Sequence, residues 1–549
     1  MLMEDGPHDN PKVAGGTNMN ITKEIHFNRE VKVFQNRPQN LFSMLEKSVE
    51  KFADKEALVM NGVRLTYKEM KAKVDRIAGN LQKSMCVKKG DRVALLLGNS
   101  IEFCLLVFAC AKLGAIAVPL NTRLKEKELT FMLKQSGSRI LFVDDEFLHK
   151  VETMRDEDSI SSIEYFFLVG NQASKRKDYL PYEIVEQTSS FEEVVVSEED
   201  PLFIMYTSGT TGLPKGAMGS HLGAIHSAMN YEMVLHTNHE AKTLLAVPLF
   251  HVTGLIGQFF HMVRIGGTSV IMRRFNTEEF IRLTAEEHVT FLFNVPTIYI
   301  MMMSHYHFSL YSYANVNCIA YGGAPMSSET IYMLKKYFPN AHLHNAYGAT
   351  ETSSPATIMP KWYDDAKMDS VGLPVPVGEM KVVDEEDKPC MPGEVGELLI
   401  KGPMVVEGYW NNENANQTSF LNGYWRSGDL ARMDQDGFVY IVDRKKDLIN
   451  RGGEKIFSIE VENVLYNHPK VLEAAVVGIP DALFGEVVKA VIVPKEGEIL
   501  DKDEIRDFAA ERLANYKVPK LIELVSELPR NPGGKILKNE LRNLQPKEN

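Results

Sequence analysis

Tyr206-Thr207-Ser208-Gly209-Thr210-Thr211-Gly212-Leu213-Pro214-Lys215-Gly216 is the segment of this chain whose residue types most directly imply chemistry. Gly209 and Gly212 let the backbone bend and turn successive N–H groups toward one point. Thr207, Ser208, Thr210 and Thr211 add hydroxyls, and Lys215 adds an ammonium. So dense a set of donors suits a phosphate, which accepts several hydrogen bonds at once. The apolar run Leu202–Met205 precedes the segment, so a loop leaving a strand is predicted. It is not a Walker A loop, in which lysine directly follows the second glycine; Lys215 stands three residues beyond Gly212. A surface turn of small residues is the alternative, and the Pro214-Lys215-Gly216 ending weighs against it.

The loop resembles the signature of the adenylate-forming superfamily of acyl-CoA synthetases, adenylation domains and firefly-type luciferases. Further stretches resemble that family's motifs, in its order, along nearly the whole chain. Tyr347-Gly348-Ala349-Thr350-Glu351 resembles Y-G-x-T-E, and Trp425-Arg426-Ser427-Gly428-Asp429 resembles the S/T-G-D motif. Asp443-Arg444-Lys445-Lys446-Asp447, followed by Gly452-Gly453-Glu454-Lys455-Ile456, is similar to the hinge motif. Pro529-Arg530-Asn531-Pro532-Gly533-Gly534-Lys535 is similar to the C-terminal lysine motif. One match alone is weak; five in order are specific.

The resemblance implies two reactions at one site. A carboxylate attacks the α-phosphate of ATP, giving an acyl-adenylate and pyrophosphate; a thiol, usually that of CoA, then displaces AMP. Two anions meet in the first step, so charge neutralisation and positioning carry the catalysis. The loop Thr207–Lys215 would hold the departing phosphates. Glu351 would ligate Mg²⁺, a hard cation that takes carboxylate oxygens, while Thr350 would donate to the α-phosphate. Asp429 would accept both ribose hydroxyls, with Arg444 assisting. Adenine would lie against Tyr347 and Gly348, between Gly323-Ala324-Pro325 and Asn345-Ala346. Lys535 would reach the substrate carboxylate and the α-phosphate. The small domain would then rotate about Lys446 and bring Gly453 to the pantetheine of CoA. Taken singly, Glu351 reads equally as a solvated carboxylate, Tyr347 as a core aromatic and Ser427-Gly428-Asp429 as a turn.

Leu249-Phe250-His251-Val252-Thr253-Gly254 resembles the segment leading into the family's acyl pocket. This implies a lining of His251, Val252, Thr253 and Gly254 with Gly322 and Gly348; a core histidine without a ligand role is the alternative for His251. No acidic residue stands between Phe250 and Gly257 to pair with a substrate amine, which disfavours amino acids. Acetate-type members place a tryptophan where Gly348 stands, so a longer acyl group is expected. The apolar lining favours a medium- to long-chain fatty acid, at about 0.8 kcal/mol per buried methylene. An aryl or cinnamate-type acid is the alternative. Transfer to a carrier protein is disfavoured: no insertion precedes the hinge between Val371 and Asp443, and only residues 536–549 follow Lys535. A catalytically silent nucleotide-binding regulator is disfavoured by the presence of Glu351 and Lys535. Luciferase-like oxygenation is disfavoured too, because the chain ends Pro-Lys-Glu-Asn in place of a peroxisomal Ser-Lys-Leu.

Such residues need rigid elements to aim them. Asn40 reads as an N-cap, followed by Leu41, Leu45, Val49 and Phe52 on one helix face. Val93–Leu97, Ile116–Val118, Ile140–Val143, Phe166–Val169, Leu244–Val247, Ser269–Met272, Thr290–Phe293 and Cys318–Tyr321 read as strands. They are mostly apolar rather than alternating, as strands buried on both faces are. Short strands separated by turns run from near Val371 to Val442, with a hairpin turn at Asp436-Gly437. Ile505, Phe508, Ala509 and Leu513 mark a later helix. The expected fold class is α/β: mainly parallel α/β subdomains and a small β-rich subdomain, then a small mobile α+β C-terminal domain. The expected bounds are a loose tail at 1–30, a large domain at 31–442, a hinge at 443–447 and a small domain at 448–549.

Composition sets the outer limits. The 549 residues are 44% hydrophobic and 24% charged, which suits globular domains rather than disorder. Lys and Arg number 61 against 73 Asp and Glu, for a net charge of −12, which argues against wrapping nucleic acid or coating an anionic membrane. Five scattered cysteines without a C-x-x-C pair support neither a zinc site nor a disulfide framework. The polar stretch through Asn20 does not resemble a secretory signal. The apolar stretch Phe103–Leu120, which carries Lys112 and Gly114, reads as a buried helix running into a strand, with no transmembrane segment. A cytoplasmic monomer or homodimer is expected. ATP, Mg²⁺ and CoA, with a small carboxylic acid, are its expected ligands.

Overall fold

The structure, a computed structural model, describes residues 20–157, 159–170, 176–207, 213–530 and 536–543. It contains two compact units: residues 1–380 with 400–425, and residues 381–399 with 426–549.

In the first unit, Asn40 caps the helix Leu41–Phe52. Its side chain accepts from Ser43 N–H at 2.9 Å, while Ser43 Oγ accepts from Asn40 N–H at 3.0 Å. Each partner meets one of the donors that a helix start leaves without an intrahelical acceptor. Order begins earlier than the expected tail at 1–30 allows. Ile21–His26 and Arg29–Phe34 pair antiparallel around Phe27 and Asn28, which adopt φ of 49° and 58°. Val31, Val33 and Phe34 are buried, so alternation in Arg29–Phe34 supplies a packing face. The two-residue turn lacks a glycine, and without that signal the hairpin is illegible in sequence.

Two mainly parallel sheets form the bulk of this unit. The seven-stranded sheet runs, in spatial order, Lys215–Ser220, Pro201–Thr207, Ile116–Pro119, Arg92–Leu96, Ile140–Asp144, Tyr165–Val169, Leu180–Pro181. Alternate residues of one strand enter different cores. Val93 and Leu95 pack with Ala117, Phe142 and Phe167, whereas Ala94 and Leu96 pack with Val118, Leu141 and Leu168. Burial on both faces is why these strands carry unbroken apolar runs. The apolar stretch after them is the helix Ile101–Leu113, stopped by Gly114 at φ 66° before Ile116–Pro119. Lys112 within it pairs with Asp75 at 2.6 Å. Among the described residues, no helix is long and apolar enough to cross a membrane.

The nine-stranded sheet holds Lys242–Leu245, Thr268–Ile271, Phe291–Asn294, Cys318–Gly322 and His342–Tyr347 in parallel. Their carboxyl ends form the edge at which ligands of open α/β sheets bind.

The second unit contains the hairpin of residues 429–433 and 439–444, turned at Asp436-Gly437 with Gly437 at φ 85°. It also contains a five-stranded sheet of Glu454–Ile456, Ile449–Arg451, Gly485–Pro494, Val471–Asp481 and Leu521–Leu524. Helices Ser458–Tyr466, Lys502–Ala510 and Lys538–Asn543 accompany that sheet. Ile505 and Ala509 of the middle helix are buried, Phe508 is half-buried, and Leu513 lies beyond its end. The hinge motif 443–447 runs inside this unit.

Candidate active site

Thr207 ends one strand and Lys215 begins its antiparallel partner, and the two are paired in register. The expected phosphate loop therefore springs from a hairpin rather than from a strand-to-helix turn. Ser208, Gly209, Thr210, Thr211 and Gly212, between them, lie outside the described residues.

Glu351 stands in the short turn Thr350–Thr352 and is 8% exposed. Thr207 Oγ1 donates to its Oε1 at 3.4 Å, and Tyr409 Oη donates to the same oxygen at 2.9 Å. Lys215 Nζ lies 5.2 Å from the centre of the Tyr409 ring. Tyr409 thus sits between the loop's lysine and the carboxylate, and burial followed by the charge of Glu351 pushes its phenol up. Sequence reasoning missed it. Nothing in Gly408-Tyr409-Trp410 marks a functional residue; its place comes from a bridge to Ala217, flanked by Met218 N–H on Gly408 O and Trp410 N–H on Gly216 O.

Asn345-Ala346-Tyr347 and Gly322-Gly323 end neighbouring parallel strands, with Gly322 opposite Ala346. Ala324 and Pro325 follow Gly323 in an exposed turn. Asn345 donates to Ser370 O at 3.1 Å, and Tyr347 O accepts from Ala356 N–H at 2.8 Å. Gly348 has a local reason to be glycine. A Cβ there would lie 1.5 Å from Ser354 O, so the backbone of 354–356 excludes any side chain in this conformation. The inference of an open acyl pocket from Gly348 consequently loses its geometric basis, because packing alone explains the residue.

His251 leads into a wide helical turn of π type over Thr253–Phe260, a form frequent at functional sites. Burial pushes its imidazole down to about 4, helped by the charge of Arg123, and its ring lies 4.9 Å from that of Phe250. Val252 joins the buried core with Leu249 and Leu255. A Cβ on Gly254 would lie 2.5 Å from Pro248 O. Two cavities of about 380 and 450 Å³, the first lined by Ser100, Asp144 and Arg273 and the second by Arg37 and Glu198, include none of the motif residues.

In the second unit, strand register pairs Asp429 with Arg444, and Arg444 Nε meets Asp429 Oδ1 at 2.6 Å. Asp429 is buried, and its N–H donates to Ser427 Oγ at 3.0 Å; Ser427 in turn donates to Leu398 O. Lys446 is exposed in the turn Lys445–Asp447. Gly452 and Gly453, with φ of 61° and 95°, form the two-residue turn between Arg451 and Glu454. Lys535 lies outside the described residues; Arg530 and Ile536, on either side of that stretch, form an antiparallel bridge.

Residues 45–410 match the AMP-binding enzyme family, and residues 460–535 match the AMP-binding enzyme C-terminal domain. The chain belongs to that family. It is a member of the adenylate-forming superfamily, in its acyl-CoA synthetase family, with the α/β fold of those enzymes. A feruloyl-CoA synthase of Amycolatopsis sp is 33% identical over 482 residues, 88% of this chain and 94% of the relative. A long-chain-fatty-acid–CoA ligase of Escherichia coli O157:H7 is 32% identical, over 92% and 94%. The o-succinylbenzoate CoA synthetase of Bacillus subtilis, solved with ATP and magnesium ion, is 32% identical with a TM-score of 0.79, covering 91% of this chain and 99% of its own. Relatives in this acyl-CoA synthetase family therefore differ in their acids at nearly equal identity.

Proposed function

We propose that the protein is an AMP-forming acid–CoA ligase. It joins a carboxylate to the α-phosphate of ATP, releasing pyrophosphate, and then passes the acyl group to the CoA thiol, releasing AMP. The convergence of Thr207, Lys215 and Tyr409 around buried Glu351 carries this reading. A cation, hydroxyl donors and a carboxylate in one place suit a phosphate chain with its metal. The oxygen donors of Glu351 and Thr207 fit Mg²⁺, which would supply charge neutralisation at the phosphates.

In this reading Thr207, Lys215 and the loop between them orient the leaving pyrophosphate, and Thr350 donates to the α-phosphate. Asp429 and Arg444 hold the ribose; Tyr347 and the strand ends Gly322–Pro325 and Asn345–Ala346 receive adenine. Lys535 neutralises the approaching carboxylate, after which rotation about Lys446 brings Gly453 to CoA. A medium- to long-chain aliphatic acid is the first reading, supported by the apolar or small residues Val252, Gly254 and Leu255 that follow His251. An aryl acid is the second, favoured by the likeness to a feruloyl-CoA synthase.

The test is pyrophosphate and AMP release with ATP and Mg²⁺ across linear acids from roughly two to eighteen carbons, benzoate and cinnamate, with and without CoA. CoA-dependent AMP release with a maximum among aliphatic acids is expected. A maximum on cinnamate would replace the aliphatic reading, and no release with any acid would overturn the ligase assignment.

A further inference from the structure

A charged residue stands on the buried face of the N-terminal hairpin. In Arg29–Phe34 the residues at 29, 31 and 33 share one face by the two-residue strand period. Val31 and Val33 are buried there, and Arg29 is half-buried in line with them. Burial works against its charge and Glu407 supports it. The guanidinium meets main-chain carbonyls: Nη2 donates to Val405 O at 3.1 Å and Nη1 to Val406 O at 3.5 Å. Its buried Nε has no partner among the described residues. One flat fork thus holds two successive carbonyls, a fit that a single ammonium does not reproduce.

Those carbonyls belong to the segment that supports Glu351. Val406 N–H donates to Glu351 O at 2.9 Å, and three residues farther on Tyr409 Oη donates to Glu351 Oε1 at 2.9 Å. One short stretch of chain therefore fixes both the main chain and the carboxylate of Glu351. Its later half is anchored by Met218 N–H on Gly408 O at 3.0 Å, Tyr409 N–H on Asn416 Oδ1 at 2.6 Å and Trp410 N–H on Gly216 O at 2.8 Å. Its earlier half is held by Val405 N–H on Gly402 O at 3.1 Å, by the buried valine side chains and by Arg29. All of these residues lie in the first compact unit.

The C=O of Val405 and the N–H of Val406 are the two ends of one planar peptide group. Arg29 grips its oxygen and Glu351 its hydrogen, so a turn of that plane breaks both contacts. A charged donor makes the stronger hydrogen bond, and it polarises the peptide toward the acceptor on the far side. We propose that Arg29 is a positioning residue: by clamping the Val405–Val406 peptide it holds the segment that sets the Glu351 carboxylate for the metal of the nucleotide. This rests on the acid–CoA ligase reading.

The full chain is compared as wild type, Arg29→Met, Arg29→Lys and Lys23→Met, the last breaking an exposed pair with Glu30 on the same hairpin. Amide hydrogen exchange of the nucleotide-free proteins reads the Val406 N–H, and Mg²⁺ titrations of acyl-AMP formation read the carboxylate. Arg29→Met is expected to speed exchange at Val406 about tenfold and to raise the Mg²⁺ concentration for half-maximal rate about tenfold, with kcat at saturating Mg²⁺ within about twofold. Arg29→Lys should fall between Arg29→Met and wild type, and Lys23→Met should match wild type. If Arg29→Met does not fold, Arg29→Lys decides, and wild-type behaviour there would overturn the clamp. So would wild-type exchange at Val406 in Arg29→Met, a fall in kcat with an unchanged Mg²⁺ midpoint, or equal shifts in Lys23→Met. A wild-type protein inactive on every acid would overturn the ligase reading instead; exchange at Val406 and calorimetric ATP titrations with and without Mg²⁺ would still decide the clamp.

Discussion

Glu351 and Tyr409 divide one function between a residue legible in sequence and one that is not. Glu351 stands out through its motif, and its burial beside Thr207 gives the motif a physical setting. Tyr409 contributes a hydrogen bond to that carboxylate, yet only the bridge to Ala217 brings it there. Glu351→Gln preserves shape and removes the charge, so acyl-AMP formation should fall roughly 100-fold, with more Mg²⁺ needed for half-maximal rate. Tyr409→Phe should leave kcat at saturating Mg²⁺ nearly intact while weakening the metal requirement's midpoint about tenfold, as loss of an outer partner of a ligand does. Mg²⁺ titrations of both variants check this. A Tyr409→Phe enzyme with wild-type Mg²⁺ dependence would remove the tyrosine from the site.

Elements decide what glycines and hinges mean. Gly254 in the π-type turn and Gly348 after the strand His342–Tyr347 both face backbone carbonyls where a Cβ would stand. Gly254→Val and Gly348→Ala should therefore cost stability, at least about 1–3 kcal/mol each, before they change substrate choice. Denaturant midpoints compared with acid-specificity profiles separate the two effects. In the C-terminal lysine motif, Lys535→Ala should abolish acyl-AMP formation while preformed acyl-AMP is still converted with CoA. Parallel loss of both steps would contradict a two-orientation cycle.

Over the whole molecule, buried histidines make the fold acid-sensitive. Burial pushes His221 and His344 down to about 4, and His226 and His261 down to about 3. His226 Nε2 accepts from Phe34 N–H while Nδ1 faces Leu222 O, an arrangement that requires the neutral ring. The unfolded chain takes up these protons below about pH 6.5, whereas the fold does not until about pH 4 or 3. Stability present above pH 6.5 is thus lost as pH falls through this window. Asp144, pushed up to about 6 by burial, acts in the opposite direction: the fold keeps its proton where the unfolded chain loses it. Asp443 and Glu462, whose carboxyls burial also pushes up, act with it, and the four histidines outweigh these three carboxyls. Tm should fall steadily between pH 7 and pH 4.5, and His226→Gln should flatten the slope. A Tm that rises on acidification would contradict the neutral assignment.

The sequence by itself determined the two-faced parallel sheets, since continuous apolar strands fit only where both faces are covered, and the chemical types gathered in the five motifs. It also marked Asn40 as a cap and Asp436-Gly437 as a turn, because those preferences are local. The hairpin at residues 21–34 turns without the glycine that would signal it, and the Tyr409 contact and the backbone reasons for Gly254 and Gly348 depend on partners distant in sequence or on exact approach. Only tertiary structure decided them, because periodicity reports which face a residue occupies and is silent about what stands opposite.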